Sequence, residues 1–375
     1  MVLIKTTLLI NGKTCEDQPV ETEIRAGVNL RGLREHNQAL LLGEIRRAGG
    51  LSRIELAERS GLTQQGVSKI VPALLEAGIL DEEREPSRGV GKPRTRLRIR
   101  PGARHALGAQ LDRDELRVVR TDLLGAVVAE ETRDLPDAFT PADAIAAIKS
   151  CVDGLRVDTL LGLGVGALGP LDHTTGVLRE ATNLPGWHEV PLRDLLTEAT
   201  GLPVLLDKDT NAAAAGYAWR AETPARAVAV VLVGTGIGAG LLIDGRVYRG
   251  PRTNAGEFGH TTIAHDGPRC PCGRRGCIEV LHNAAVRRGD PGEAARLLGV
   301  GLVDLVQLLD LEQIVLAVRD RPELYRDRID AQLRASLPLP GWQKIDLVLA
   351  EHDDRLVAAG AAAEVLARFY AEPGV

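Results

Sequence analysis

The sequence predicts an α/β protein of two similar lobes behind a small helix-turn-helix module, and three observations carry that prediction. A basic stretch lies within an otherwise acidic chain. Inside that stretch two short helices meet at a glycine turn, and further on a cluster of strand-like segments with helical connections occurs twice. A length of 375 residues, with 44% hydrophobic and 26% charged, suits two or three globular domains and excludes collagen-like, disordered and single-small-domain chains. The longest apolar stretches, such as residues 225–233, fall far short of the roughly 20 residues of a membrane span. Residues 1–10 are too short and poorly followed for a secretory signal, so a soluble cytoplasmic protein with no membrane partner is expected.

From Arg31 to His105 there are 15 Lys and Arg against 9 Asp and Glu, a net of +6; since the whole chain is −5, the other 300 residues carry −11. A basic module on an acidic body suits one polyanionic partner and one that is not. Chance clustering of surface charge is the plain alternative, and the motifs decide between them.

Residues 1–24 show no clear periodicity and read as a tail or short appended segment. From Asn29 to Ala48 apolar residues recur at helical spacing until Gly49 and Gly50 break the pattern. Ser52 and Glu55 form a capping box that starts a second, short helix ending near Arg59. Ser60-Gly61-Leu62 supplies a tight turn, and Thr63 caps a third helix that runs to about Glu76 and stops at Gly78. This is the layout of a helix-turn-helix, whose second helix reads DNA. Its exposed early positions, Gln64, Gln65, Ser68 and Lys69, carry side chains able to bond base edges or phosphates, and Ser52 and Thr63 flank them. Ile79-Leu80 and residues 97–99 bracket a polar stretch that reads as the hairpin of a winged variant, with Arg88, Lys92, Arg94 and Arg96 offered to phosphates or a minor groove. A three-helix packing unit with a solvated basic face is the competing reading. Pro72 falls inside the reader helix, where a missing donor costs up to about 3 kcal/mol, so a kink or restart is expected there.

Beyond residue 105 the texture changes. Residues 106–111, 116–121 and 125–129 read as consecutive strands, followed by a helix over 141–154 and a strand at 160–165. A second strand-rich stretch starts at 204–206 and 228–232, continues through 240–243 and 246–248, and gives way to helices. The expected domains are residues 25–102 for DNA and 103–375 for the two-lobed body. Its smaller lobe takes about 106–205 plus 350–375, completed by a last helix over 355–370, and its larger lobe about 206–349.

Cys270, Cys272 and Cys277 crowd into eight residues, with His260 ten residues upstream. Three thiolates and an imidazole match the tetrahedral preference of zinc and leave no open position, so the expected role is structural and not hydrolytic. A reduced thiol cluster without metal is the alternative.

The segment Gly234-Thr-Gly-Ile-Gly238, then Asp244-Gly245, Gly250 and Ala255-Gly-Glu257-Phe-Gly-His260, followed by the cysteines, resembles the signature of the ROK family of sugar kinases and sugar-responsive repressors. Residues 161–169, Asn183-Leu-Pro-Gly-Trp187 and Lys208-Asp209-Thr-Asn211 resemble its other sugar-site segments in the right order, and the resemblance covers about residues 29–375. It implies an actin-like, duplicated ribonuclease-H-like fold with a hexose between the lobes, its hydroxyls bonded by Asn183, Asp209, Glu257, His260 and Glu279. In the kinases the residue matching Asp209 is the general base.

Those kinases place a Gly-Gly-Thr-Lys phosphate loop at the first strand turn. Here Gly108-Ala-Gln110-Leu-Asp112-Arg113-Asp114-Glu115 stands instead, without the glycines or the cation, and with carboxylates where ATP phosphates should go. The strand over 313–318 also ends without the glycine pair that nucleotide-binding members use. The expectation is therefore a non-catalytic sugar sensor, a homodimeric or homotetrameric repressor that binds operator DNA and answers to a sugar or sugar phosphate. An ATP-dependent hexose kinase with a DNA-binding appendage is the alternative.

Overall fold

A computed structural model describes residues 30–85, 94–180, 184, 186–221, 225–337, 344–350 and 354–373. The first body is the winged helix: α1 (Leu30–Ala48), α2 (Arg53–Ser60), α3 (Gln64–Glu76) and an antiparallel hairpin of β1 (Leu80–Glu85) and β2 (Arg94–Ile99). The expected local signals are in place. Ser52 accepts from the Glu55 amide while the Glu55 carboxylate accepts from Ser52, and Thr63 Oγ1 accepts from the Gly66 amide at 3.1 Å. Gly61 turns the chain between α2 and α3 at a φ of 70°, a left-handed conformation that a side chain disfavours. The expected helix to Glu76 is present, and α3 does not restart at Pro72 but runs through it. Val67, Val71 and Leu74, fully buried against Leu41, Leu42 and Ile45 of α1, hold the helix together across the lost donor.

Next comes a five-stranded sheet. A meander of β3 (His105–Leu111), β4 (Glu115–Asp122) and β5 (Val127–Asp134) leads through α4 (Pro141–Gly154) to β6 (Leu160–Ala167). A small three-stranded sheet follows, made of β7 (Leu171–Asp172), β8 (Val177–Glu180) and β9 (His188–Val190). Helix α5 (Leu192–Thr200) then returns the chain to β10 (Val204–Lys208), giving the order β10-β6-β3-β4-β5 with β6 and β10 parallel to β3.

After α6 (Asp209–Arg220) the pattern repeats. Strands β11 (Ala227–Val233), β12 (Ile237–Ile243) and β13 (Arg246–Val247) form an antiparallel meander. Helices α7 (Ile278–Arg287) and α8 (Pro291–Leu309) lead to β14 (Gln313–Val318), and α9 (Pro322–Ser336) leads to β15 (Asp346–Leu349), with β14 and β15 parallel to β11 and β14. The order β13-β12-β11-β14-β15 is that of the first sheet, which is the duplicated, actin-like arrangement. Helix α10 (Leu356–Ala371) returns to pack on β3 and β6 beside α6. Glycine makes this possible: a Cβ on Gly108 would lie 1.9 Å from the Ala358 carbonyl, and one on Gly164 2.0 Å from that of Ala361. The winged helix shares a core with this lobe, since Leu41, Ile45 and Leu97 cluster with Leu366 and Tyr370 of α10.

No helix of the described residues is long and apolar enough to cross a membrane.

Candidate effector cleft, metal cluster and DNA face

On the winged helix, Gln64, Gln65, Ser68 and Lys69 are all exposed on the first turns of α3. The side-chain oxygens of Ser52 and Thr63 serve as helix caps. Arg88 and Lys92 lie outside the described residues; Arg94 opens β2, and Arg96 faces Glu83 across the hairpin. The wing is less basic than its second strand suggested, because β1 brings acids to it. Arg98 Nε stands 2.6 Å from Glu83 Oε2, and Arg100 grips Asp81 through Nε at 3.0 Å and Nη2 at 2.5 Å.

His260 and the three cysteines come together. Their ligand atoms lie within 4.8 Å of one another, in the sequence order His260, Cys270, Cys272, Cys277, a set that could hold a metal ion. Cys272 and Cys277 sulfurs are 3.7 Å apart. Two sulfurs on a tetrahedral zinc at about 2.3 Å each would be about 3.8 Å apart, so the donor set and its spacing fit that ion. The Gly276 backbone, at a φ of 58° and with the Ala264 carbonyl 1.7 Å from where a Cβ would sit, lets the loop close this tightly. Cys277 then occupies the N-cap position of α7, so the same loop places Glu279, the second residue of that helix.

A cavity of about 430 Å³ between the lobes is lined by Asp209, Glu257, His260 and Glu279. Asn183 lies outside the described residues. Each carboxylate has a positional anchor. Glu279 Oε2 accepts from the Ile237 amide at 2.8 Å, Asp209 Oδ1 accepts from the Thr210 amide at 2.6 Å, and Glu257 Oε1 accepts from Lys208 Nζ at 2.5 Å. Burial pushes the Asp209 carboxyl up to about 6, against the Thr210 amide and the Lys208 ammonium, which favour its charged form. Lys208, only 4% exposed, also donates to the Ala255 carbonyl at 3.0 Å, so its charge is spent inside the protein.

Asp112, Asp114 and Arg319 line the same cavity. Thr235 Oγ1 donates to Asp112 Oδ1 at 2.8 Å across the cleft. Arg319, just beyond β14, reaches Asp112 at 3.6 Å and Asp114 at 3.4 Å. The β3–β4 turn of one lobe is thereby tied to the β11–β12 turn and the β14 end of the other.

Comparison with known proteins bears on both domains. The model of the ROK family matches residues 107–288, and that of the MarR family matches residues 32–92. The chain carries a ROK family domain behind a MarR-type winged helix. A xylose repressor of Caldicellulosiruptor bescii is 28% identical over 254 residues, which are 66% of this chain and 63% of that protein. A glucokinase of Streptomyces coelicolor is 29% identical over 297 residues, covering 64% of this chain and 93% of the enzyme. The crystal structure of a ROK family transcriptional regulator, a homologue of the E. coli Mlc protein, superposes with a TM-score of 0.75 over 91% of this chain and 100% of that one. At 20% identity it shows the shared fold. The ROK domain thus has repressors and kinases among its relatives.

Within this ROK domain, three residues escaped the sequence reading. Lys208 was visible only as part of a motif, whereas its role follows from Glu257, 49 residues away. Arg319 lies 205 residues from Asp114 and Thr235 lies 123 from Asp112, with no local pattern to announce either partnership.

Proposed function

We propose that this chain is a sugar-responsive, DNA-binding transcriptional repressor whose ROK domain binds its effector without phosphorylating it. Residues 25–102 form the operator-reading module and residues 103–375 the sensor. The single observation that carries the reading is the contrast inside one cavity: Asp209, Glu257 and Glu279 line it as anchored carboxylates, while Asp112 and Asp114, at the turn that would have to meet phosphates, are paired with Arg319. A triphosphate would have to displace Arg319 from its acids and then meet them as bare negative charge. Ionised carboxylates accept from vicinal hydroxyls, so Asp209, Glu257 and Glu279 suit a sugar, with Asn183 and His260 completing the set. Resemblance to a xylose repressor over 254 residues supports the same conclusion.

In this reading His260, Cys270, Cys272 and Cys277 hold a structural zinc. Filled by four protein ligands, the ion orients the His260 ring and the start of α7. His260 Nδ1 faces the Cys270 sulfur at 3.6 Å, which leaves Nε2 on the far edge of the ring for a hydroxyl. The protein acts in the cytoplasm as a homodimer or tetramer, because paired winged helices match palindromic half-sites. Gln64, Gln65, Ser68 and Lys69 would face the major groove, with Arg88, Lys92, Arg94 and Arg96 in the wing near phosphates.

A kinase remains the second reading, favoured by the glucokinase relative and by Asp209, whose raised proton affinity suits a base. Two assays on the purified chain decide. Thermal shift with xylose, glucose and their phosphates detects binding, since a ligand of the folded state raises stability with the logarithm of its concentration. A coupled assay with the same sugars and Mg-ATP detects turnover. Binding without turnover is expected, and rates above about 1 per second would establish the kinase instead.

A further inference from the structure

Helix α6 begins in the effector cleft and ends against the winged helix. Asp209, its first residue, lines the cavity, and Trp219 sits at its other end, ten residues on and so about 15 Å along the axis. There the Arg46 guanidinium of α1 lies 3.9 Å from the centre of the Trp219 ring and 5.6 Å from that of Tyr370, and Arg46 Nη1 donates to the Trp219 carbonyl at 3.1 Å. Tyr370 belongs to α10, and its ring meets that of Trp219 edge-on at 5.5 Å. Both rings are pinned from behind by the β4–β5 turn: Trp219 Nε1 donates to the Leu124 carbonyl at 3.0 Å and the Tyr370 hydroxyl to that of Leu123 at 3.1 Å. One cation of the DNA module therefore sits in a socket built by the last turns of two helices of the sensor.

Those two helices cannot move apart. A Cβ on Gly360 of α10 would lie 1.9 Å from the Ala212 carbonyl of α6, and one on Gly216 of α6 would lie 2.8 Å from the Gly360 Cα. Backbones in such contact behave as one body, because close-packed interiors switch between packings instead of stretching. The same body is wedged against the second lobe. A Cβ on Gly240 of β12 would meet the Thr210 carbonyl at 2.0 Å, and Arg249, beyond β13, reaches both Asp207 beside α6 and Glu364 in α10. The α6–α10 pair, packed on β3 and β6 of one lobe and against β12 and Arg249 of the other, stands where a change in the lobe angle is taken up, with the socket at its end.

We propose that the Arg46 socket is the coupling joint of this protein, where closure of the cleft on its ligand is converted into a change in how the winged helix is held. The inference rests on the reading of the chain as a sugar-responsive repressor. A ligand shifts an equilibrium only by its different affinity for two states, and the joint supplies that difference: the planar guanidinium, stacked and hydrogen-bonded in one setting of α6 and α10, is misaligned in another. Arg46 is a positioning residue that touches neither ligand.

The test uses the full-length protein, a labelled duplex recovered by the wild type from a random-sequence pool, and xylose and glucose as probes. Duplex affinity is measured with and without each sugar, for wild type, Arg46→Ala and Arg46→Met, the last keeping the aliphatic stem in case the alanine variant folds poorly. The wild type should lose about tenfold or more in duplex affinity with the sugar that binds, within the range usual for coupled sites. The variants should keep the sugar affinity by calorimetry yet lose less than about threefold, the quantity that a merely structural role would leave unchanged. A full wild-type response in a folded Arg46 variant would overturn the joint alone. Wild-type duplex binding indifferent to both sugars would overturn the repressor reading and the joint with it.

Discussion

Two groups of carboxylates line the interlobe cavity and come to opposite chemical states. Asp209, Glu257 and Glu279 are each held through one oxygen by an amide or an ammonium. Asp112 and Asp114 are instead drawn onto Arg319, with Thr235 closing the contact. A carboxylate held by a backbone amide or a buried ammonium keeps an oxygen for a ligand, while one that grips an exposed arginine is already occupied. What separates a receptor surface from a latch here is the kind of partner: the Thr210 and Ile237 amides and the buried Lys208 in the first case, the half-exposed Arg319 in the second.

Four experiments would break or sharpen that contrast, and loss of the metal should be the most damaging. Metal analysis should give near one zinc per chain. Cys277→Ser should abolish that stoichiometry and weaken sugar binding by at least about tenfold, the usual scale for losing the support of a site. Full zinc content and affinity in the variant would remove the cluster from the argument. Next, Glu257→Ala should cost about 1.5–3 kcal/mol of sugar affinity by calorimetry, the range for a hydrogen bond to a charged group. It also leaves Lys208 buried without its carboxylate, so Glu257→Gln, which keeps an acceptor, should be milder.

Third, sugar affinity should fall as pH drops from about 7 to about 5. Asp209 accepts hydroxyls best when ionised, and its carboxyl, pushed up to about 6, takes a proton in that window. Asp209→Asn should bind weakly at every pH and lack this slope; protonation of the metal ligands affects both proteins and cancels in the difference. The smallest effect belongs to the latch. Arg319→Ala removes a half-exposed ion pair worth at most about 1 kcal/mol, so thermal unfolding should hardly move. No ATP binding should appear, since the acids remain; a variant that gains it would show that Arg319 alone had kept nucleotide out.

Features governed by neighbours in sequence were legible before any coordinates. The Ser52–Glu55 capping box, the Gly61 turn and the Thr63 cap each involve residues within a few positions, the three cysteines crowd into eight, and most of the repeated strands announced themselves as apolar runs, although residues 204–206 were placed in the second lobe and pair with β6 of the first, and β15 was not read. Strands β7 to β9 were missed because they are two to four residues long and carry no alternation to detect. At Pro72 the restart that the sequence allowed does not occur, since a local penalty was outweighed by burial of α3 against α1. The set of Asp209, Glu257 and Glu279 was readable only through motifs. The β3–β4 turn was readable as acidic but not as latched, because Arg319 finds its partners through the closure of two sheets on each other.

The pairing of Arg98 with Glu83 and of Arg100 with Asp81 bears on how the proposed operator contact would respond to salt. An arginine that already holds a carboxylate must trade it for a phosphate on docking, and the released acid then faces the duplex. Such an exchange liberates few condensed cations, so operator affinity should decline with ionic strength less steeply than the count of basic residues implies. The grip would then be set mainly by the helix in the groove, which is the part that a tilt of the module can withdraw.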